Sequence, residues 1–132
     1  MDFPTKGIAC DAGHSMKREV TEIRAVDLET GRELFRYEIG NQTVNIGEFL
    51  ALIESIQIDI NNYDGIVDIY SDSKTAIAWF NNRSTFSNKR NIDIIKGAVF
   101  LSAMQDVISN SVIVHKWETE MWGENPADLG NK

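Results

Sequence analysis

The chain has 132 residues, 42% of them hydrophobic and 25% charged, with two prolines, one cysteine and a formal net charge of −7. That length suffices for one core without disulfides, so a single domain spanning 1–132 is expected, and the composition excludes a disordered or collagenous chain. The acidity argues against holding nucleic acid through a general basic surface. No apolar run approaches the ~20 residues a membrane helix requires, and Cys10 has no partner for an internal disulfide. A cytoplasmic protein with no membrane association and no obligate protein partner is expected.

In chain order, Gly7 to Asp11 is a short apolar run ending at an acid, the pattern of a buried strand with a polar exit. Glu22 to Asp27 and Glu33 to Ile39 are two further strands, and Gly31 between them can supply the positive φ of a hairpin turn. From Ile46 the period changes, and Ile46, Phe49, Leu50, Ile53 and Ile56 follow the spacing of an amphipathic helix to about Ile60. Ile66 to Ser71 reads as a fourth strand, joined by a tight turn to a helix from Ser73 to about Phe80. The apolar positions Ile92, Ile95, Val99, Met104 and Val107 predict a longer helix, Val112 to Lys116 a fifth strand, and Pro126 the first turn of a last helix. The order β-β-β-α-β-α-α-β-α implies an α/β fold with a five-stranded mixed sheet flanked by helices.

Four acids fall where such folds place chemistry, at strand ends and helix starts on one edge of the sheet. Singly, each has a structural role open to it. Asp72 or Ser73 can cap the following helix, Glu48 can close a capping box with Asn45, Asp128 can favour a helix dipole, and Asp11 can belong to a turn. Jointly they repel unless neutralised, and oxygen-preferring divalent cations do this. Two such cations held by carboxylates point to phosphodiester cleavage.

The segments Ile8-Ala-Cys-Asp-Ala-Gly13, Asn45-Ile-Gly-Glu-Phe-Leu-Ala51, Ile69-Tyr-Ser-Asp-Ser73 and Trp122-Gly-Glu-Asn-Pro-Ala-Asp-Leu-Gly130 resemble, in order and spacing, the four motifs of type 1 ribonuclease H. The resemblance covers nearly the whole chain and implies a ribonuclease H-like fold. It also implies hydrolysis of the RNA strand of RNA/DNA hybrids, leaving 5′-phosphate and 3′-hydroxyl ends, with two Mg²⁺ or Mn²⁺ ions. Carried over by motif, Asp11 would bridge both ions, Glu48 and Asp72 would hold the one nearer the attacking water, and Asp128 the second. Thr43, Asn45, Lys74 and Gly13 match positions that touch the hybrid.

The sequence also departs from the family. Gly13-His14-Ser15-Met16-Lys17 is shorter than the usual loop after the first strand, and the usual basic protrusion is missing, Asn81 to Arg90 being a poor substitute for it. The loop Trp117 to Glu124 lacks the family's histidine, and Glu118, ten residues before Asp128, is the candidate for its role in turnover. His115 is expected to be a structural strand residue and Trp79 a core residue, whereas Trp117 and Trp122 stand between core and base stacking. The alternative reading is a non-catalytic or weakly active module that keeps the fold and binds nucleic acid.

Overall fold

The computed structural model describes residues 4–82 and 112–129. Three strands open the chain, β1 (Ile8–Ser15), β2 (Val20–Asp27) and β3 (Glu33–Glu38), followed by helix α1 (Val44–Tyr63). Strand β4 (Ile69–Ser71), helix α2 (Lys74–Asn82), strand β5 (Val114–Lys116) and a single helical turn, α3 (Thr119–Trp122), complete the described elements. The expected helix through Ile92 to Val107 lies outside the described residues.

The sheet order is β3-β2-β1-β4-β5. Strands β1, β2 and β3 pair antiparallel, while β4 runs parallel to both β1 and β5, so the predicted five-stranded mixed sheet is present. Asp27 shapes the β2–β3 turn by accepting from the N–H groups of Glu29 and Thr30, and Gly31 supplies the expected positive φ of 76°. Strand β1 runs four residues beyond its predicted end because Ala12 to Ser15 pair with Val20 to Ile23 of β2.

Alternation along β1 sends Ile8, Cys10 and Ala12 into the main core. There they meet Phe49, Leu52, Ile53 and Ile56 of α1, with Ala76, Trp79 and Phe80 of α2 alongside. Trp79 lies edge-on to Phe49 at 5.6 Å between ring centroids, which makes it the core residue the sequence predicts. The opposite face of the sheet carries a smaller cluster in which Ala9 and Val26 pack with Ala127 from the chain's last described segment.

Helix α1 begins two residues before its predicted start, because Thr43 caps it: the Thr43 Oγ1 accepts from the Ile46 N–H. It ends where Asp64 and Gly65 take positive φ and the Gly65 N–H donates to the Asp59 carbonyl. Strand β4 is half its predicted length for a related reason. The Ile66 N–H is taken by the Tyr63 carbonyl and the Val67 N–H by the Asp59 carboxylate, so neither joins the ladder.

The last predicted helix is corrected. Residues 125–128 form a turn closed by the Asp128 N–H on the Asn125 carbonyl, with Pro126 second in the turn. The helical turn lies earlier, at α3, within a stretch expected to be loop. It stops at Gly123, whose carbonyl accepts from the Trp117 indole N–H. Among the described residues no helix is long and apolar enough to cross a membrane.

Candidate metal centre

The parallel pairing of β1 with β4 ends at Cys10 opposite Ser71, which places Asp11 and Asp72 side by side where the two strands part. Asp72 is half-buried and is spared from capping α2. The Ser73 Oγ does that work, accepting from the Ala76 N–H, while the Ser73 N–H is held by the Ser71 Oγ.

Glu48 reaches the same point from α1. The Gly47 before it allows the approach, since a Cβ there would lie 2.8 Å from the Thr21 Cγ2 and 2.9 Å from the Ala12 Cβ. Glu48 is not the capping-box partner its spacing allows. It is buried, and its Oε1 accepts from the Ala12 N–H on β1.

Asp11, Glu48 and Asp72 each offer a carboxylate oxygen, all within 4.8 Å of one another. Such a group is suited to a divalent cation. Burial, then the charges of Asp11 and Asp72, push the Glu48 carboxyl up to about 9. Its Oε2 is buried and meets no hydrogen-bond donor among the described residues. A buried carboxylate oxygen without a donor, beside two further carboxylates, fits a cation as its partner, and an all-oxygen set suits Mg²⁺ or Mn²⁺.

Asp128 is half-buried and is not part of the three-carboxylate group, but its segment lies directly on Asp11. The Leu129 N–H donates to the Asp11 Oδ2 at 3.2 Å. Arg24, opposite Asp11 on β2, directs its Nη1 to the carbonyls of Pro126 and Asp128 at 3.5 and 3.4 Å.

The remaining sites of sequence interest surround this group. Thr43 and Asn45 are exposed at the start of α1, and Lys74 is exposed as the first residue of α2. Gly13 is buried in β1, paired with Glu22. Glu118 is exposed at the start of α3, where its side chain makes no cap and stands outside the three-carboxylate group.

His115 is a strand residue, stacked on Tyr70 at 4.9 Å with its Nε2 3.4 Å from Asp68. Trp117 is buried with Trp122 edge-on at 5.1 Å, which assigns Trp117 to packing. The backbone donors of Ala12 and Leu129 and the reach of Arg24 carry no sequence signal. Asn125 carries one, as an Asn-Pro turn start.

No protein-family model matches the sequence. Among solved structures, the chain is similar to LC11-RNase H1, isolated from compost by a metagenomic approach, at TM-score 0.59 and 17% identity over 89% of this chain and 88% of that one. The structure of LC11-RNase H1 in complex with an RNA/DNA hybrid matches at TM-score 0.53 and 16% identity, over 86% of each chain. RNase H1 from the halophilic archaeon Halobacterium salinarum matches at TM-score 0.53 and 12% identity, over 87% of this chain and 86% of that one. The five-stranded mixed sheet, its strand order and its flanking helices are those of the ribonuclease H fold.

Proposed function

We propose that this chain is a ribonuclease H, an endonuclease that hydrolyses the RNA strand of RNA/DNA hybrids to leave 5′-phosphate and 3′-hydroxyl ends. The observation that carries this reading is the gathering of Asp11, Glu48 and Asp72 within 4.8 Å, with a buried Glu48 oxygen that meets no donor among the described residues. Asp11, Glu48, Asp72 and Asp128 are the residues that would hold two Mg²⁺ or Mn²⁺ ions. When bound, such ions supply an activated water and charge stabilisation for the leaving oxygen.

The chain's own contribution is placement. The Ala12 N–H orients Glu48 and the Leu129 N–H orients Asp11, so two of the carboxylates are set before any cation arrives. Neither α1 nor α2 carries an acidic side chain in its first turn, which leaves the positive helix ends for a phosphate backbone. Thr43, Asn45 and Lys74 stand exposed at those ends for contact with the hybrid, whereas Gly13 is buried in β1 and is given no contact in this reading. Glu118 is assigned to product release in place of a histidine. A cytoplasmic location is part of this reading.

The test is cleavage of labelled RNA/DNA hybrid, double-stranded RNA, double-stranded DNA and single-stranded RNA, each with Mg²⁺, Mn²⁺ or chelator. Hydrolysis is expected only in the RNA strand of the hybrid and only with a cation, and it should be abolished in folded Asp11→Asn. Equal cleavage of hybrid and double-stranded DNA, or activity in chelator, would overturn the assignment. Hybrid retained without hydrolysis would identify a binding module.

A further inference from the structure

Asp11 and Glu48 stand on regular elements and Asp72 directly follows β4, but Asp128 stands on a turn, and something must seat that turn. Asn125 is 4% exposed and uses both ends of its amide. Its Nδ2 donates across elements to the Cys10 carbonyl at 3.1 Å, the peptide oxygen immediately before Asp11. Its Oδ1 accepts from the Ala127 N–H at 2.9 Å, and its main-chain carbonyl accepts from the Asp128 N–H at 2.9 Å. Between these bonds Ala127 is fully buried against Ala9 and Val26. A buried amide bonded at both ends holds its neighbours in one arrangement, and its loss removes both bonds from a buried site.

We infer that Asn125 is the positioning residue that seats the Asp128 turn on β1 beside Asp11, and so determines whether Asp128 completes a second cation site. The inference rests on the two-cation reading above. Groups that orient a metal ligand are typically worth roughly 10- to 100-fold in affinity or activity. Asn125 should therefore act on the second cation and leave the first, held by Asp11, Glu48 and Asp72, in place.

The experiment measures Mn²⁺ stoichiometry and affinity by calorimetry, with amide hydrogen exchange in chelator, for five chains. These are the wild type, Asn125→Ala, Asn125→Asp, Asp128→Asn and the Asn125→Ala/Asp128→Asn double variant. Asn125→Asp keeps the size and the Oδ1 acceptor while removing the Nδ2 donor, and it serves if the alanine variant fails to fold. Either Asn125 variant should weaken the second Mn²⁺ roughly 10- to 100-fold while changing the first by less than about threefold. The amides of Asp128 and Leu129 should exchange at least about tenfold faster, with those of α1 unchanged. The double variant should bind no worse than Asp128→Asn, because two changes in one linkage do not add.

Two Mn²⁺ taken up by the Asn125 variants as by the wild type would overturn the inference alone, as would additive losses in the double variant. A wild type that takes up fewer than two Mn²⁺ would overturn the two-cation reading, and the inference with it. In that case unchanged exchange at Asp128 and Leu129 in Asn125→Asp would also remove the seating role.

Discussion

Helix α1 buries one carboxylate near each end, and the two are treated in opposite ways. Asp59 is fully buried, and burial pushes its carboxyl up to about 6 against the opposing pull of the Val67 N–H. Glu48 is also buried and also has one backbone donor, yet it is pushed to about 9, first by burial and then by the charges of Asp11 and Asp72. Both groups bear the cost of burial, and at Glu48 the cost of a gathered set of acids is added to it. The second cost is the kind a cation removes, and Asp59 has no such set around it among the described residues.

The largest effect should come from Glu48→Gln, which keeps the shape and the Ala12 acceptor but removes the charge. Hybrid cleavage should fall by more than roughly 100-fold, beyond the range for groups that only support a ligand. The thermal midpoint in chelator should rise at the same time, because a neutral amide ends the repulsion. Wild-type rates in Glu48→Gln would dissolve the contrast with Asp59.

Next comes Gly47→Ala, whose methyl has no room between the fully buried Thr21 and Ala12. It should cost about 1–3 kcal/mol in urea unfolding and lower activity by moving Glu48. Unchanged stability would show that α1 can lift off β1 without penalty.

Asp59→Asn should give a smaller change and spare catalysis. Because the folded-state pKa of Asp59 is raised from 3.8 to about 6, its contribution to stability is full below pH 3.8 and lost as pH rises through 6. The asparagine variant should match the wild type near pH 4 and gain on the order of 1 kcal/mol at pH 8, read as a Tm difference of a few degrees. Glu48 acts in the same direction over the wider span from 4.5 to about 9, so the wild type in chelator should lose stability steadily from pH 5 to 9. A stability maximum at pH 8 in chelator would contradict both assignments. The smallest effect should be that of Glu118→Gln, a lower kcat with unchanged KM for the hybrid, checked from pH 6 to 9.

Much of this arrangement is readable before any coordinates. The period change at Ile46 marks α1, Gly31 marks the β2–β3 turn, and the ordered motifs single out Asp11, Glu48 and Asp72. What is hidden depends on tertiary competition for backbone donors. Thr43 and Asn45 are both competent caps, and the choice falls to Thr43 through its bond to the Ile46 N–H. Ile66 and Val67 have strand character, but the end of α1 takes their N–H groups. Pro126 suits a helix start and a turn equally well, and the buried Asn125 amide decides for the turn.

Cys10 on β1 lies fully buried in the core that β1 shares with α1, next to Asp11, and it is the sequence's single cysteine. Burial, with the Glu48 charge behind it, pushes its thiol well above the usual value. Since the thiolate is the reactive species, alkylation of the native chain must pass through openings that part the helix from the strand. The labelling rate, divided by that of the unfolded chain, then gives the equilibrium for that one local opening. A buried core residue thus doubles as a one-site clock for how often the strand that carries Asp11 is uncovered.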